Sequence, residues 1–199
     1  MAQEGLLEIM QDGFGFLRFS QNHYLPDDAD IYVPASLIRK YKIRPGSMIM
    51  GDVQPPRKPG QKPALAAITA INEKDPESHA QEVLFKSLLP CDPEDRFTLE
   101  VAPDGNISMR VVDLLTPIGR GQRALIVAPP RTGKTILMQQ ICNSIITNHP
   151  EAKVLVLLID ERPEEVTDFK RNTQAEIIAS CLDEGTSNHI KVTELVPDR

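Results

Sequence analysis

With 199 residues, 41% apolar and 25% charged, the chain has the composition of a globular protein with room for one or two cores, and its longest apolar stretch, Val154 to Ile159, is too short to span a membrane. The formal net charge of −6 argues against a generally basic nucleic-acid binder. Three widely spaced cysteines, Cys91, Cys142 and Cys181, lack CxxC spacing and read as reduced thiols, not as a disulfide frame or a zinc site. No basic stretch followed by an apolar core marks a secretory signal at the N-terminus. The charge is uneven: residues 1–72 hold eight Lys/Arg against seven Asp/Glu, whereas residues 73–199 hold fourteen against twenty-one. Within the first part Arg39, Lys40, Lys42, Arg44, Arg57, Lys58 and Lys62 face only Asp52, which suits either a phosphate backbone or a plainly solvated surface.

The first 72 residues carry short strand-like runs at Leu6–Met10, Phe14–Phe19, Ile31–Val33, Met48–Val53 and Ala64–Ile71, with a short helix near Ala35–Tyr41. Turn signals separate them at Asp12-Gly13, Pro26-Asp27-Asp28, Pro45-Gly46 and Pro55 to Gly60. Five strands in so short a span predict a small barrel of the OB type. A polar connector from Asn72 to Ala80 and a short helix over Gln81–Leu89 follow. Next the pattern predicts a hairpin, Phe97–Val101 and Ile107–Val112, around Pro103-Asp104-Gly105-Asn106. From Gly119 onward it reads strand, loop, helix, strand, helix, with Leu137, Ile141, Ile145 and Ile146 on the buried face of the helix after Gly133. Pro163 with Glu164, Glu165 and Asp168 marks another helix start, and Ile177–Ala179 a weak third strand. The resulting domain expectation is a barrel over 1–72, a linker over 73–95 and a P-loop α/β unit over 96–199.

Three motifs carry chemistry. Phe14, Phe16 and Arg18 alternate and share one strand face; with Gly13 and Gly15 leaving the surface open they suit base stacking. Two alternating Phe also suit a barrel core, but an unpaired Arg18 on that face argues against burial. Tyr32, after Asp30, offers a third aromatic platform. Leu125 to Val127 reads as a buried strand leading through Ala128-Pro129-Pro130-Arg131-Thr132 into Gly133-Lys134-Thr135, a phosphate-binding loop with Ala128 in place of the usual first glycine. There Lys134 reaches outer phosphates and the Thr135 hydroxyl ligates Mg²⁺. The apolar strand ending in Asp160-Glu161 delivers carboxylates beside such a loop, to hold metal or orient water, although strands also end in acidic turns. His23, His79, His149 and His189 lie in no ligand spacing.

These residues resemble the bacterial transcription termination factor Rho family. The resemblance rests on Asp12-Gly13-Phe14-Gly15-Phe16-Leu17-Arg18, Asp30-Ile31-Tyr32-Val33 and Pro117-Ile118-Gly119-Arg120-Gly121-Gln122-Arg123. It continues through Ile126 to Thr135 and Leu158-Ile159-Asp160-Glu161-Arg162-Pro163-Glu164-Glu165-Val166-Thr167. It implies an α+β multidomain protein: a small OB-type, cold-shock-like β-barrel followed by a truncated RecA-like P-loop sheet. By resemblance, Gly13, Phe14, Gly15, Phe16, Leu17, Arg18, Asp30, Ile31, Tyr32 and Lys62 contact single-stranded, cytosine-rich RNA. Gly119, Arg120, Gly121, Gln122, Arg123, Ala124, Arg131, Thr132, Gly133, Lys134, Thr135, Ile136 and Arg162 surround ATP, with Thr135 on Mg²⁺. The resemblance moves the metal-holding carboxylate to a later strand, which leaves Glu161 as general base or water-orienting residue and Lys134 as the second catalytic group. It further implies ATP-driven RNA translocation and transcript release, a homo-hexamer, the RNA polymerase elongation complex as partner, and the cytoplasm. The alternative is a non-catalytic RNA-binding module or an interfering subunit.

The chain departs from the family where Gly60-Gln61-Lys62-Pro63 replaces an acidic-basic-aromatic run, and again over Asp168–Gln174. By the resemblance, the helical bundle that usually precedes the barrel is expected to be missing. Ending at Arg199, the chain also lacks the later strand, pore loops and arginine finger, so the expectation is an incomplete sheet with weak ATP binding.

Overall fold

Period-two alternation builds the first half of the fold. In the computed structural model, which describes residues 2–56, 60–81, 83, 87–101 and 106–196, five strands close a barrel: β1 (Ala2–Ile9), β2 (Gly15–Arg18), β3 (Ile31–Val33), β4 (Met48–Gln54) and β5 (Ala64–Ile71). Their order around the barrel is β1-β2-β3-β5-β4, with β4 returning to β1. Every pair is antiparallel except β3 and β5, which meet in parallel at Tyr32 and Ala64. Five strands in this order form an OB-like barrel, and the five barrel strands read from the sequence all occur, with β1 beginning four residues earlier than expected and small shifts elsewhere.

Leu7, Leu17, Ile31, Val33, Ile49, Leu65, Ile68 and Ile71 fill the barrel. The last three sit three residues apart, which a regular strand would send to alternating faces. Pairing Gly51 with Ile68 but Met50 with Ala70, and Asp52 with Ala67 but Val53 with Leu65, inserts two extra residues into β5. These bulges turn all three side chains inward. A helix α1 (Ala35–Lys40) lies between β3 and β4 and adds Ile38 to the same core. After β5, α2 (Pro76–His79) starts at Asp75, whose carboxylate accepts from the N–H groups of Glu77 and Ser78.

The remainder is α3 (Ile107–Leu115), α4 (Lys134–Asn148), β6 (Leu155–Glu161), α5 (Pro163–Asn172), β7 (Glu176–Cys181) and α6 (Thr186–Leu195). β6 and β7 form a two-stranded sheet. Glu176 N–H donates to the Val154 carbonyl and Leu182 N–H to the Glu161 carbonyl, so residue numbers rise together along both strands, the parallel sense. Pro163 opens α5 as its composition demands. By contact density the chain divides into one unit of residues 1–88, 157–161 and 178–199 and another of 89–156 and 162–177.

Two expectations fail here. The hairpin over residues 97–112 is absent, and its second arm is α3. Asn106 caps that helix by accepting from Ser108 N–H, and Met109 and Asp113 fall four apart on its inward side. The first arm, Phe97–Val101, belongs to no strand, although Arg96 just before it forms an isolated antiparallel bridge with Gly119. Phe97 N–H donates to the Ile118 carbonyl at 2.8 Å, and the next three N–H groups are met by side chains: Leu99 and Glu100 donate to the Asp113 carboxylate at 2.9 Å each, and Thr98 donates to His149 Nε2 at 2.9 Å. The buried strand expected at Leu125–Val127 is also absent. The described residues form two sheets and this segment joins neither, leaving Leu125 86% and Val127 83% exposed. An apolar run becomes a strand only beside a neighbour. Four of the nine residues of the helix expected over Gln81–Leu89 lie outside the described residues, as do three of the four residues in the expected hairpin turn. Among the described residues no helix is long and apolar enough to cross a membrane.

Leu17→Ala removes a fully buried side chain from the barrel centre. Urea unfolding should show a loss of about 2–5 kcal/mol, against under about 0.5 kcal/mol for the exposed Gln21→Ala.

Candidate nucleic-acid interface

The outward face of β2 and β3 carries three aromatic rings. Ring centroids of Phe14 and Phe16 lie 5.7 Å apart, Phe14 and Tyr32 5.6 Å, and Phe16 and Tyr32 6.1 Å. Phe16 and Tyr32 are directly cross-strand partners, and the intervening Leu17, Ile31 and Val33 point into the core. The rings are half-buried, so they form a surface platform and not core filling. Leu17 and Ile31, both expected at the RNA surface, are fully buried.

Gly15 has a different reason from the open surface expected of it. The residue is buried, and a Cβ there would stand 2.6 Å from the Glu8 carbonyl and 2.7 Å from Leu7. Its missing side chain lets β1 and β2 approach. Gly13 lies in the β1–β2 turn and donates to the Met10 carbonyl at 2.8 Å.

Arg18 corrects a second expectation: it is buried, at 5% exposure, although charged. The physical reason is that it is fully paired. Its Nε donates to Glu8 at 2.6 Å, and a terminal nitrogen donates to the Asp30 carboxylate, itself 1% exposed. Asp30 also accepts from Asp27 N–H at 2.7 Å, and the Lys62 ammonium lies 3.6 Å away. Two cations and two carboxylates therefore balance in one cluster, which makes burial tolerable. The guanidinium lies 5.1 Å and the Lys62 ammonium 5.8 Å from the Phe16 ring centroid, within cation–π range.

Two hollows flank Phe16. One, of about 770 Å³, is lined by Phe16, Tyr32, Pro34, Gln54, Gln61 and Lys62 among others. The other, of about 540 Å³, is lined by Phe16, Arg18, Asp27, Asp30 and Lys62 together with Pro26 and Asp28. The second Asp30 oxygen, Oδ1, is buried without a hydrogen-bond partner among the described residues. Sequence reasoning missed Glu8, Gln54 and Gln61. Glu8 was legible in principle, as an acid between Leu7 and Ile9 on the strand that pairs with β2, but its partner is ten residues away. On α1 and just beyond it, Arg39, Lys40 and Lys42 are exposed. Hydrogen bonding to the Tyr41 hydroxyl raises the Lys40 pKa, so this residue stays cationic.

The expected nucleotide residues are placed as follows. Gly133 adopts φ 91°, a left-handed conformation natural to glycine, and caps α4. Arg131, Thr132, Lys134 and Ile136 are exposed and Thr135 half-buried at that helix start, with the Thr132 hydroxyl donating to the Pro129 carbonyl at 2.7 Å. Gly121, Gln122, Arg123 and Ala124 are exposed, and the Gln122 side chain accepts from Gly119 N–H at 2.7 Å. Arg120 is engaged with protein: it pairs with Glu151, lies 3.2 Å from His149 and stacks 4.7 Å from the Phe97 ring. That hydrogen bond holds the Glu151 carboxyl below the usual carboxylate range. The pair is therefore present at neutral pH and is lost only as pH falls through the depressed value. Glu161 ends β6, and Arg162 caps α5 with its carbonyl accepting from Glu165 and Val166 N–H.

Residues 3–77 match the Rho termination factor RNA-binding domain, and residues 108–191 match the nucleotide-binding domain of the ATP synthase alpha/beta family. The chain is 47% identical over 198 residues to transcription termination factor Rho of Cereibacter sphaeroides and 48% identical over 197 residues to that of Bacillus subtilis. Each alignment covers 98% of this chain but 47% and 45% of the respective relative, so the chain spans about half the length of the curated relatives it matches.

Asp30→Ala leaves Arg18 buried with one partner fewer. Urea unfolding should show a loss of about 3–5 kcal/mol, and Arg18→Met added to it should recover part of that loss.

Proposed function

We propose, on the premise that the chain is Rho-type in sequence along 98% of its length, that it captures single-stranded RNA on the barrel and couples to ATP in transcription termination. The observation that carries the RNA half is the aromatic platform of Phe14, Phe16 and Tyr32 above the paired Arg18 and Asp30. Flat aromatic faces accept bases of any sequence, and the neighbouring cations meet the phosphates. Cytosine preference is supported by Asp30: a buried carboxylate oxygen without a partner is an acceptor suited to the exocyclic amine of that base. Leu17 and Ile31 serve the site as the inward-facing residues that hold the platform in place.

For the ATP half, the start of α4 supplies what a phosphate needs: a 15-residue helix whose N-terminal N–H groups follow a left-handed Gly133, with Lys134 and Thr135 in its first turn. Lys134 would meet the outer phosphates and Thr135 would hold Mg²⁺, while Gly119 to Ala124, Arg131 to Ile136 and Arg162 contribute the surrounding contacts. Bound Mg²⁺–ATP supplies the phosphoryl group and its charge neutralisation. Glu161 would orient the attacking water and take up its proton. Translocation along RNA, a homo-hexameric ring, the RNA polymerase elongation complex as partner and a cytoplasmic location belong to the same reading.

A second reading is favoured by one observation. The expected nucleotide residues are mostly exposed and the run before them joins no sheet, whereas the barrel is closed. On that reading the chain is an RNA-capture module without turnover, or a subunit that interferes with complete rings.

Fluorescence anisotropy with an oligo(C) probe should show a loss of about 1–3 kcal/mol for Phe16→Ala, with the thermal midpoint of the barrel retained. ATP hydrolysis by the 199-residue chain should rise with poly(C) and disappear in Glu161→Ala and Lys134→Ala. RNA binding without any hydrolysis selects the capture module, and no RNA binding overturns both readings.

A further inference from the structure

The turn after β7 gathers polar side chains around the C-terminal end of β6. The Ser180 hydroxyl lies 2.7 Å from the Glu184 carboxylate and 2.7 Å from Nδ1 of His189, and Ser180 is fully buried. On the other side of the ring, Nε2 of His189 lies 3.9 Å from the Asp160 carboxylate. A hydroxyl has one proton to give and an ionised carboxylate only accepts, so Ser180 donates to Glu184. Nδ1 of His189 must then carry the proton that is donated to the Ser180 oxygen. That fixes the tautomer and turns the basic nitrogen, Nε2, toward Asp160. Asp160 adopts φ 59°, a left-handed conformation that a non-glycine residue keeps only where its surroundings hold it. Its neighbour Glu161 is tied to the same turn, its carbonyl accepting from Leu182 N–H at 3.0 Å.

We propose that His189 is a positioning residue for Glu161, locked by Ser180 and Glu184 with Nε2 aimed at Asp160 so that the end of β6 is held in one conformation. The inference rests on the reading of Glu161 as the water-orienting group. A protonated ring pairs with Asp160 and clamps the left-handed residue; a neutral ring leaves only a weaker contact. The charged groups on neighbouring elements are Asp160 and Glu161 at the end of β6 and Asp183 and Glu184 in the β7–α6 turn, with Lys191 and Glu194 on the histidine's own helix.

Nitrogen-detected NMR of the full chain is the test. Neutral His189 should carry its proton on Nδ1, and the backbone amide of Glu161 should titrate with the His189 midpoint. His189→Asn keeps a donor for Ser180 but cannot reach Asp160, and should abolish the Glu161 titration. An Nε2-protonated ring, or a Glu161 amide that follows pH identically in His189→Asn, overturns the proposal. In hydrolysis assays His189→Asn should lower kcat about tenfold with nucleotide affinity unchanged, and an unchanged kcat overturns the positioning role. Absence of hydrolysis in the unsubstituted chain instead overturns the role given to Glu161, while the amide titration still decides whether His189 governs the end of β6.

Discussion

The interaction on which the barrel's outer face depends is the buried pairing of Arg18 with Glu8 and Asp30. Removing a guanidinium from water costs several kcal/mol, and only close, hydrogen-bonded carboxylates offset it. Those carboxylates come from β1 and from the residue just before β3, while Arg18 ends β2. The pairing thus holds three consecutive strands in one register. A slip of one residue would turn Arg18 into the apolar core and Leu17 into water. Because Phe16 and Tyr32 stand two residues from Arg18 and Asp30, the same register that neutralises the charges assembles the rings. Stability and the aromatic surface are one constraint at this site.

In the other unit, side chains do the work that strand partners do in the barrel. Asp113 of α3 receives two N–H groups of the 98–100 segment, and Asn148 at the end of α4 donates to the carbonyls of Thr98 and Glu100 at 2.8 and 3.1 Å. α4 and α5 are joined in the same manner, by Gln139 to Asp168 and Asn143 to the Asn172 carbonyl, each at 2.7 Å. This is polar stitching at helix ends and edges, with few buried apolar residues among those described: Leu99, Met109, Val156, Val166 and Phe169. The exposed run Leu125–Val127 is the clearest sign that apolar surface here is only partly covered.

How far the sequence could be read followed how local each determinant is. Barrel strands were legible because alternation and turn residues act within a few positions. The helix after Gly133 was legible for the same local reason, but its buried residues are Gln139 and Ser144, while Leu137, Ile141, Ile145 and Ile146, expected on the buried face, are only half-buried. The Rho resemblance was carried by long, ordered motifs, and the matched RNA-binding and nucleotide-binding segments bear it out. Burial of Arg18 was not legible, since its partners stand ten and twelve residues away. The reading of Ile107–Val112 as a strand failed because alternation and helical spacing overlap over six residues, and the Asn106 cap decides between them. Leu125–Val127 misled for the opposite reason: its composition suits a strand, but strand formation needs an edge to join. The bulges of β5 lay beyond reach as well, being a property of its pairing with β4 and not of its own residues.

Gly15 has a consequence for how variation at this surface should be read. Any side chain there meets the Glu8 carbonyl from the core side, out of sight of the aromatic face. Relief requires β1 to back away, and β1 is the strand that brings Glu8 to Arg18. A methyl group hidden in the barrel wall would therefore register as an electrostatic lesion at the surface. The glycine acts as a spacer that sets the gap across which a charge is neutralised.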